Sequence, residues 1–306
     1  MSTHDSGPTL RDRLFVALQY AIPQHFLSRL VYRLTRSRTP GVKNALIKSF
    51  MRGFSPDMSD ALQPDPLAYA SFNEFFTRPL RPGARPIDPN DSVLVSPVDG
   101  AISQIGRLDG SQIMQAKGHS YSLEALLDFR GPQAAGWSSR FADGCFATLY
   151  LAPFNYHRIH MPLGGTLRAA WYVPGQLFSV NSVTAAAVPG LFARNERVVC
   201  VFEDGPRLFA MVLVGALFVG SMETVWHGEI TPRSPREAME LPLDPTRAPL
   251  RLQKGEEMGR FNMGSTVILI TAPDTIDWLS NMNGGDSVSV GQPLARLRGR
   301  MMAAHG

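Results

Sequence analysis

The sequence predicts an α+β protein in which N-terminal helices precede a β-rich domain. Up to about residue 55, apolar residues recur three and four positions apart, which is the spacing of one helix face. After about residue 75, short runs of Val, Ile, Leu, Phe and Thr are separated by Gly, Pro, Asn and Asp, a pattern typical of strands and turns. At 306 residues, of which 44% are hydrophobic, the chain can form a sizeable core and two domains.

Two apolar stripes define the predicted N-terminal helices. The first consists of Leu27, Leu30, Val31 and Leu34, and the second of Leu46, Ile47, Phe50, Met51 and Phe54. Pro23 and a Thr-Pro-Gly turn at 39–41 separate the helical stretches. Residues 1–55 carry nine Lys and Arg side chains against two Asp, so the basic excess of the chain lies in this segment.

Basic amphipathic helices are typical of proteins that bind anionic membrane surfaces. An alternative is that the stripes simply pack on the rest of the protein. Basic segments also bind the phosphates of nucleic acids, but we find no helix-turn-helix, zinc-finger or aromatic-basic motif in the sequence. An anionic membrane surface is therefore the expected partner, and no nucleic acid is expected.

The β-rich part contains a long apolar run at 208–220 and one predicted helix, which Ser122 can cap. The run is too short for a membrane-spanning helix and is rich in β-branched residues, which favours a buried strand pair or a bent strand. Cys145 and Cys200 lie in strand-like runs, where free cysteines behave as small hydrophobic residues. We expect neither a disulfide framework nor a metal cluster, and the start of the chain does not resemble a signal peptide.

Two histidines and one aspartate are candidates for catalysis. His157 and His160 occur in "FNYHRIHMPLGG", which reads as an extended segment that places the two imidazoles on opposite sides. Without a neighbouring carboxylate or thiol they make a poor zinc site, and such pairs are more often structural. Asp99 lies in "SPVDGAIS", where a plain Asp-Gly hairpin turn is the simpler interpretation.

The segment "GRFNMGSTVILI", residues 259–270, would be one buried strand if Gly264, Ser265 and Thr266 did not interrupt its apolar run. A glycine inside a strand usually marks a bulge or a close approach of two backbones. Ser265 could also form a Ser-His-Asp arrangement with His160 and Asp99. Residue types and spacing alone do not establish such a triad.

Eight segments, in the expected order, resemble the bacterial phosphatidylserine decarboxylases and together cover nearly the whole chain. They are "FNEFFTRPLRPGARPID", "SPVDGAISQIG", "QAKGHSYSLEALL", "YHRIHMPLGG", "YVPGQLFSVN", "VPGLFARNERVVC", "VGALFVGSMETVWHGEITP" and "GEEMGRFNMGSTVI". The last segment resembles the self-cleavage site of that family, which usually reads Leu-Gly-Ser-Thr. Met263 replaces the leucine with an apolar side chain of similar volume. The reacting pair, Gly264 and Ser265, is intact.

The resemblance implies a proenzyme that makes its own pyruvoyl cofactor. Ser265 Oγ would attack the carbonyl of Gly264, His160 would take the serine proton, and Asp99 would orient His160. β-Elimination of the resulting ester would then separate a β chain, residues 1–264, from an α chain, residues 265–306. Ser265, at the start of the α chain, would become the pyruvoyl group, and the two chains of the precursor would remain partners.

The same resemblance implies that the pyruvoyl group forms a Schiff base with phosphatidylserine, which loses CO2 to give phosphatidylethanolamine. His157 would act at this stage, by positioning the carboxylate or by supplying the proton. Residues 1–75 would form a helical membrane-associating region, and residues 76–306 would form the catalytic domain, without a metal ion. A homodimer, bound peripherally to the cytoplasmic face of the bacterial inner membrane, is the expected assembly.

Three other functions are compatible with the residues alone. A serine hydrolase would use the same three side chains on an external substrate, but the sequence has no Gly-x-Ser-x-Gly motif. A pyruvoyl enzyme for a soluble amino acid would not need the basic amphipathic N-terminus. A non-catalytic membrane scaffold would remain a single, uncut chain.

Overall fold

A computed structural model describes residues 9–116, 118–128, 136–218, 221–232, 236–243, 246 and 248–298. The helices in these ranges are α1 Leu10–Ala21, α2 Gln24–Thr35, α3 Pro40–Phe54, α4 Phe72–Phe76, α5 Leu123–Leu127, α6 Trp137–Phe141, α7 Ser182–Ala187 and α8 Leu191–Arg194, with a 3-10 turn at Pro66–Ala68. The three longest helices come first, and a β-rich region follows. The predicted α+β class is therefore confirmed.

The strands form four antiparallel sheets. They are β1 Val93–Val95, β2 Gly100–Arg107, β3 Gln112–Ala116, β4 His119–Ser122, β5 Cys145–Tyr150, β6 Arg158–His160, β7 Gly165–Val173, β8 Arg197–Asp204, β9 Arg207–Val214, β10 Met222–Thr224, β11 Gly228–Glu229, β12 Met239–Glu240, β13 Arg251–Leu252, β14 Glu257–Phe261, β15 Thr266–Thr271, β16 Ile276–Trp278, β17 Ser287–Val288 and β18 Pro293–Leu297. The largest sheet runs β12-β7-β8-β9-β15-β5-β2-β17, with β13 also paired to β7. The smaller sheets run β11-β10-β14-β6, β1-β18-β16 and β3-β4.

Strand β15 lies at the centre of the largest sheet, between β9 and β5. Its first residue, Thr266, is opposite Val214 of β9 and Tyr150 of β5. All six residues of β15 are buried, which explains why its sequence is a continuous apolar run without alternation. The apolar run at 208–220 begins as a single buried strand, β9, which ends at Val214. The last two positions of the run, 219–220, lie outside the described residues.

Three local predictions can be compared directly with the structure. Ser122 caps α5, since the Ala125 N–H donates to Ser122 Oγ at 3.1 Å, as expected. Both cysteines are free and buried, as expected. The hairpin interpretation of Asp99 is wrong, because β1 pairs with β18 whereas β2 pairs with β5 and β17. Asp99 thus lies where the chain passes from one sheet to another.

The second apolar stripe packs against the protein. Ile47 and Phe50 of α3 are buried in a cluster with the aromatic residues of α4, and the Phe50 and Phe76 ring centroids lie 5.7 Å apart. Met263 contacts both this cluster and the main core. Helix α3 is therefore packed close to the segment that contains Gly264 and Ser265.

Helices α1 and α2 have the opposite arrangement, with polar side chains facing the protein. Gln19, Gln24 and Ser28 are buried. Gln19 Oε1 accepts from the Ser179 N–H and Gln24 Oε1 accepts from the Leu177 N–H, both at 2.7 Å. Most of the large apolar side chains of these helices are exposed, namely Leu10, Leu14, Phe15, Leu18, Tyr20, Phe26, Leu30 and Leu34. Leu27 and Val31 of the first predicted stripe are half-buried. Among the described helices, none is long and apolar enough to cross a membrane.

Candidate active site

The Gly264–Ser265 peptide lies in a short connection between two sheets. Strand β14 ends at Phe261 in the four-stranded sheet, and β15 begins at Thr266 in the largest sheet. The polar interruption of the apolar run is therefore a crossing between sheets and not a bulge in one strand. The other part of the simple interpretation, a close approach of two backbones, is confirmed at Gly264 by the nearby Leu151 carbonyl. Gly264 and Ser265 therefore lie directly before the N-terminal end of the central strand.

The Ser265 side chain is completely buried and has no hydrogen-bond partner among the described residues. Its backbone is held, because the Leu151 N–H donates to the Ser265 carbonyl at 2.9 Å. Buried hydroxyl groups are usually paired, so an unpaired one requires an explanation. The Ser265 Oγ is available for a reaction rather than committed to a structural bond.

Gly264 is tightly surrounded on one side. A β-carbon placed on this residue would lie 3.2 Å from His157 Nε2 and 3.3 Å from the Leu151 carbonyl oxygen. These distances are shorter than normal van der Waals contacts, so a larger residue would displace the imidazole or the strand. The same contact shows that His157 Nε2 faces the peptide that the family resemblance predicts to be cut.

The His157 imidazole is fully buried, and its ring centroid lies 4.2 Å from that of Phe76. Nδ1 is 2.9 Å from the Asn155 carbonyl oxygen, which can only accept, so Nδ1 carries the proton and Nε2 carries the lone pair. Burial lowers the pKa of His157 to about 3. His157 is therefore a neutral imidazole whose unpaired nitrogen faces Gly264.

The His160 imidazole has a different set of partners. Its Nδ1 donates to the Gly255 carbonyl oxygen at 2.8 Å, and its Nε2 accepts from the Tyr156 hydroxyl at 3.0 Å. Burial lowers the pKa of His160, so this imidazole is also neutral near pH 7. The two histidines thus have separate neighbours, as the extended segment predicted.

The Asp99 carboxylate is held by Arg85. Arg85 Nε lies 2.9 Å from both carboxylate oxygens, and Nη2 lies 2.6 Å from Oδ2. The Val290 N–H donates to Asp99 Oδ1 at 2.9 Å, and Arg85 Nη1 also donates to Asp60 at 2.9 Å. Asp99 is consequently a fixed, buried carboxylate.

Within the described residues, no hydrogen bond links Asp99, His160 and Ser265 to one another. The imidazole found next to Gly264 is that of His157, whose Nε2 would lie 3.2 Å from a β-carbon on this glycine. The sequence interpretation did not identify Arg85 or Tyr156. Tyr156 precedes His157 in a quoted motif and could have been considered, whereas no pattern of residue types indicates that Arg85 binds Asp99.

A cavity of about 290 Å³ borders this site. Its walls include Phe54 of α3, Phe76 of α4, Pro153, Phe218 and Gly264. The lining is mostly apolar and includes no basic side chain. Because Phe54 and Phe218 are both partly exposed, the cavity lies close to the surface.

Comparisons with known proteins agree with one another. The sequence model of the phosphatidylserine decarboxylase family matches residues 72–296, and a second model, described as PSD, matches residues 14–55. The chain is 51% identical over 286 residues to a Bordetella pertussis protein named phosphatidylserine decarboxylase proenzyme, covering 93% of this chain and 95% of that one. This chain belongs to the phosphatidylserine decarboxylase family.

Two further phosphatidylserine decarboxylase proenzymes match at nearly full length. The one from Stutzerimonas stutzeri is 50% identical and covers 94% of this chain and 95% of its own. The one from Shewanella frigidimarina is 49% identical and covers 94% of this chain and 99% of its own. Membership of the phosphatidylserine decarboxylase family makes the chain an enzyme, a decarboxylase of phosphatidylserine. Membership of this family argues against the three alternative functions, namely a serine hydrolase, a pyruvoyl enzyme for a soluble amino acid and a non-catalytic membrane scaffold.

Proposed function

We propose that Ser265 of this proenzyme attacks the Gly264 carbonyl, cuts its own chain and becomes the pyruvoyl group of the active enzyme. The observation that carries this proposal is the Ser265 hydroxyl, which is buried and unpaired directly after a glycine that an imidazole nitrogen approaches. Gly264 has no side chain to obstruct attack on its carbonyl. β-Elimination of the resulting ester would leave a β chain, 1–264, and an α chain, 265–306.

The residues around Ser265 suit a pyruvoyl group. The neighbouring His157 is neutral and presents a lone pair, and the walls of the adjacent cavity are mainly apolar, which limits the access of water. When present, the pyruvoyl carbonyl supplies the electrophile that draws electrons from the substrate as CO2 leaves. The chain's own residues then have to bind the headgroup, orient it and provide a proton.

For the base that takes the Ser265 proton, the resemblance and the contacts in the structure favour different histidines. We propose His160, with Asp99 as the supporting carboxylate, as the resemblance implies. His160 can act in this way only after its Nε2 exchanges the Tyr156 hydroxyl for that of Ser265. The second candidate is His157, which the contact between its Nε2 and Gly264 favours.

We assign His157 to decarboxylation, where it either positions the substrate carboxylate or supplies the proton. The Nδ1 proton donated to the Asn155 carbonyl holds Nε2 in one orientation. Because Nε2 carries a lone pair, it must first take up a proton, which the ammonium group of the substrate releases when its nitrogen reacts, before it can donate to the carboxylate or to the carbanion. The cavity of about 290 Å³ is large enough for a headgroup of roughly ten non-hydrogen atoms but not for two acyl chains. The acyl chains would therefore stay in the bilayer.

Helices α1 and α2 are proposed to hold the enzyme on an anionic membrane surface. Their exposed apolar side chains recur at four-residue intervals, as in Leu10, Leu14 and Leu18 of α1. On α2, Arg29 and Arg33 border the exposed Phe26 and Leu30, which places cations beside an apolar surface. This combination suits insertion at the level of anionic headgroups.

The membrane proposal assigns residues 1–75 to membrane association and residues 76–306 to catalysis. A peripheral position on the cytoplasmic face of the inner membrane follows as a proposal from the bacterial relatives and the lipid substrate. A homodimer is also proposed, and light scattering on the purified protein would test it.

Intact mass spectrometry of the purified protein tests the central proposal. The expected result is two fragments, one of residues 1–264 and one of residues 265–306 with a blocked N-terminus. Reduction with borohydride in the presence of phosphatidylserine should add a stable mass to the smaller fragment. An active preparation with an intact 264–265 bond would contradict the proposal.

A further inference from the structure

Arg78 is a buried cation that lacks the partners that such a residue normally has. It follows α4 closely in the chain, and only 3% of its surface is exposed. Nη2 donates to the Phe154 carbonyl oxygen at 3.3 Å, whereas Nε and Nη1 have no hydrogen-bond partner among the described residues. Because a guanidinium stays charged, a buried one without a counter-charge is costly to the fold.

Arg197 shows what a structural buried arginine looks like in this same protein. It is 2% exposed, which is about the same burial as that of Arg78. Its three guanidinium nitrogens donate to the backbone carbonyls of Ala125, Leu126, Ala193 and Asn195, at 2.5 to 2.9 Å. In this protein a structural buried arginine thus has carbonyl acceptors for all three of its guanidinium nitrogens. Arg78 has such an acceptor for only one of them.

The other partly buried arginines near the site are paired with carboxylates. The pairs are Arg85 with Asp99, Arg158 with Glu257, and Arg260 with Glu223, with closest N to O distances of 2.6 to 2.8 Å. Arg78 forms no such ion pair with a described residue. Asp57 and Asp99 act on its charge only from a distance, and the guanidinium carbon lies 5.8 Å from the Phe75 ring centroid. Among the arginines of this group, Arg78 is therefore the one without a directly bonded carboxylate among the described residues.

The position of Arg78 links it to the site. The Phe154 carbonyl that it contacts lies between Pro153, which lines the cavity at Gly264, and Asn155, which holds His157 Nδ1. The charge of Arg78 also contributes to lowering the pKa of His157, after the larger effect of burial. The guanidinium thus lies close to the imidazole proposed to act in decarboxylation.

We infer that Arg78 binds an oxyanion of the substrate headgroup, an inference that rests on the function proposed above. The headgroup of phosphatidylserine has two oxyanions, a phosphodiester and a carboxylate, and the residues that line the cavity include no basic side chain. Arg78 is not one of these lining residues either, so the oxyanion has to reach the guanidinium past the lining, next to the Phe154 carbonyl that Arg78 contacts. A buried guanidinium with two free N–H directions matches the geometry of a two-oxygen acceptor. The substrate would supply the directly bonded oxyanion that the described residues do not.

The phosphodiester is the better partner on chemical grounds. The carboxylate loses its negative charge as the bond to the α-carbon breaks and CO2 leaves. A cation bound to it would stabilise the reactant more than the transition state and would slow the reaction. The phosphodiester keeps its charge throughout, so Arg78 can bind it without opposing catalysis.

The test uses the processed enzyme and a soluble short-chain phosphatidylserine, so that membrane binding does not enter the result. Arg78→Gln should still cut itself but show a raised KM, with kcat/KM lowered about tenfold to a hundredfold, as for the loss of a charge-assisted hydrogen bond. Arg78→Lys, which keeps the charge, should recover part of this loss. The matched control is Arg81→Gln, because Arg81 is exposed and paired with Asp60.

Two inhibitors then identify the oxyanion. Glycerophosphoethanolamine has the phosphodiester without the carboxylate, and L-serine has the carboxylate without the phosphodiester. We expect the substitutions at Arg78 to weaken inhibition by glycerophosphoethanolamine and to leave that by L-serine unchanged. The reverse would move the contact to the carboxylate and would overturn the choice of the phosphodiester.

Unchanged KM and inhibition constants, with only a lowered melting temperature, would reduce Arg78 to a structural residue and overturn the inference. If Arg78→Gln fails to fold, the same constants measured on Arg78→Lys decide the question, since the altered donor geometry must still change them. Failure of the proposed function is distinguishable, because it would appear in the wild-type enzyme as an uncut chain or as absent decarboxylation.

Discussion

Helices α1 and α2 and the residue just before strand β15 all bury polar side chains, but the hydrogen bonding of these side chains differs. On the helices, Gln19 and Gln24 are buried against the protein and leucines are exposed to solvent. At the start of β15, Ser265 is buried among apolar side chains. The buried glutamines are fixed by backbone hydrogen bonds, whereas the Ser265 hydroxyl is unpaired.

The difference in hydrogen bonding suits two different tasks, the binding of a partner by α1 and α2 and a chemical reaction at Ser265. A helix whose apolar side chains face outward is stable only because its polar side chains are bonded inward, and its outer surface is left for a partner. A buried hydroxyl without a partner is unfavourable for the fold. The Ser265 hydroxyl differs from other unpaired ones, such as those of Ser28 and Thr271, because it directly follows a glycine that an imidazole nitrogen approaches. Substitutions in the two regions should therefore affect different steps.

The largest effect is expected at the start of β15. Ser265→Ala should remain one full-length chain without decarboxylase activity, because no hydroxyl is left to attack Gly264. Gel electrophoresis and a CO2-release assay measure the two outcomes. The matched control is Thr271→Val, which removes another buried, unpaired hydroxyl, at the far end of the strand that follows Ser265, and should leave cleavage intact. Cleavage of the Ser265→Ala chain between residues 264 and 265 would contradict the proposal that Ser265 attacks the Gly264 carbonyl.

The two histidines should separate cleavage from decarboxylation. His160→Ala should slow self-cleavage by about 10² to 10⁴-fold, the usual contribution of a general base. His157→Ala should be cut but should lose decarboxylation. Both rates can be followed after cell-free synthesis of the chain.

His119→Ala, which changes a histidine of β4, is the control for the histidine pair. An uncut His157→Ala together with a normally cut His160→Ala would transfer the role of base to His157, as the contact with Gly264 favours. That result would refute the assignment made by resemblance.

Charges on the outer face of α1 and α2 should weaken membrane binding without affecting self-cleavage. Leu14→Glu and Leu30→Glu should each reduce partitioning onto phosphatidylglycerol vesicles by at least about tenfold, since inserting a leucine contributes about 2 kcal/mol. Cosedimentation measures the binding. Leu62→Glu is the control, because Leu62 is similarly exposed but lies outside these helices. Equal losses in all three variants would contradict the proposed surface.

The last expected effect is a change in stability with pH, which does not affect cleavage or membrane binding at neutral pH. Because burial lowers the pKa of His157 to about 3, the unfolded chain binds a proton near pH 6.5 that the folded chain does not. The contribution of His157 is therefore complete above pH 6.5 and is lost as the pH falls toward 3, by about 1.4 kcal/mol per pH unit.

Urea unfolding of uncut Ser265→Ala protein, with and without His157→Gln, measures this difference. The advantage in unfolding free energy that His157 confers at pH 7, relative to His157→Gln, should shrink between pH 6.5 and 4. A parallel pH dependence in the two proteins would mean that His157 is accessible to protons in the folded chain.

Features that depend on neighbouring residues could be predicted from the amino-acid sequence without coordinates. The α+β class follows from two periodicities, the cap at Ser122 from its position before a helix, and the likeness to the decarboxylase family from eight ordered segments. The sequence also identified Gly264 and Ser265 as an anomaly, because a polar interruption in an apolar run is visible without coordinates. Each of these signals spans no more than a few neighbouring residues at a time.

Which helix faces are buried and which distant side chains contact one another could be seen only in the folded structure. The stripe of α3 is packed against α4 while α1 and α2 turn their leucines outward, although all three helices are amphipathic or basic in sequence. Asp99 binds Arg85, and the His157 Nε2 approaches Gly264, across separations that no periodicity encodes. Such contacts depend on how sheets cross and pack, since burial and pairing are properties of the whole fold.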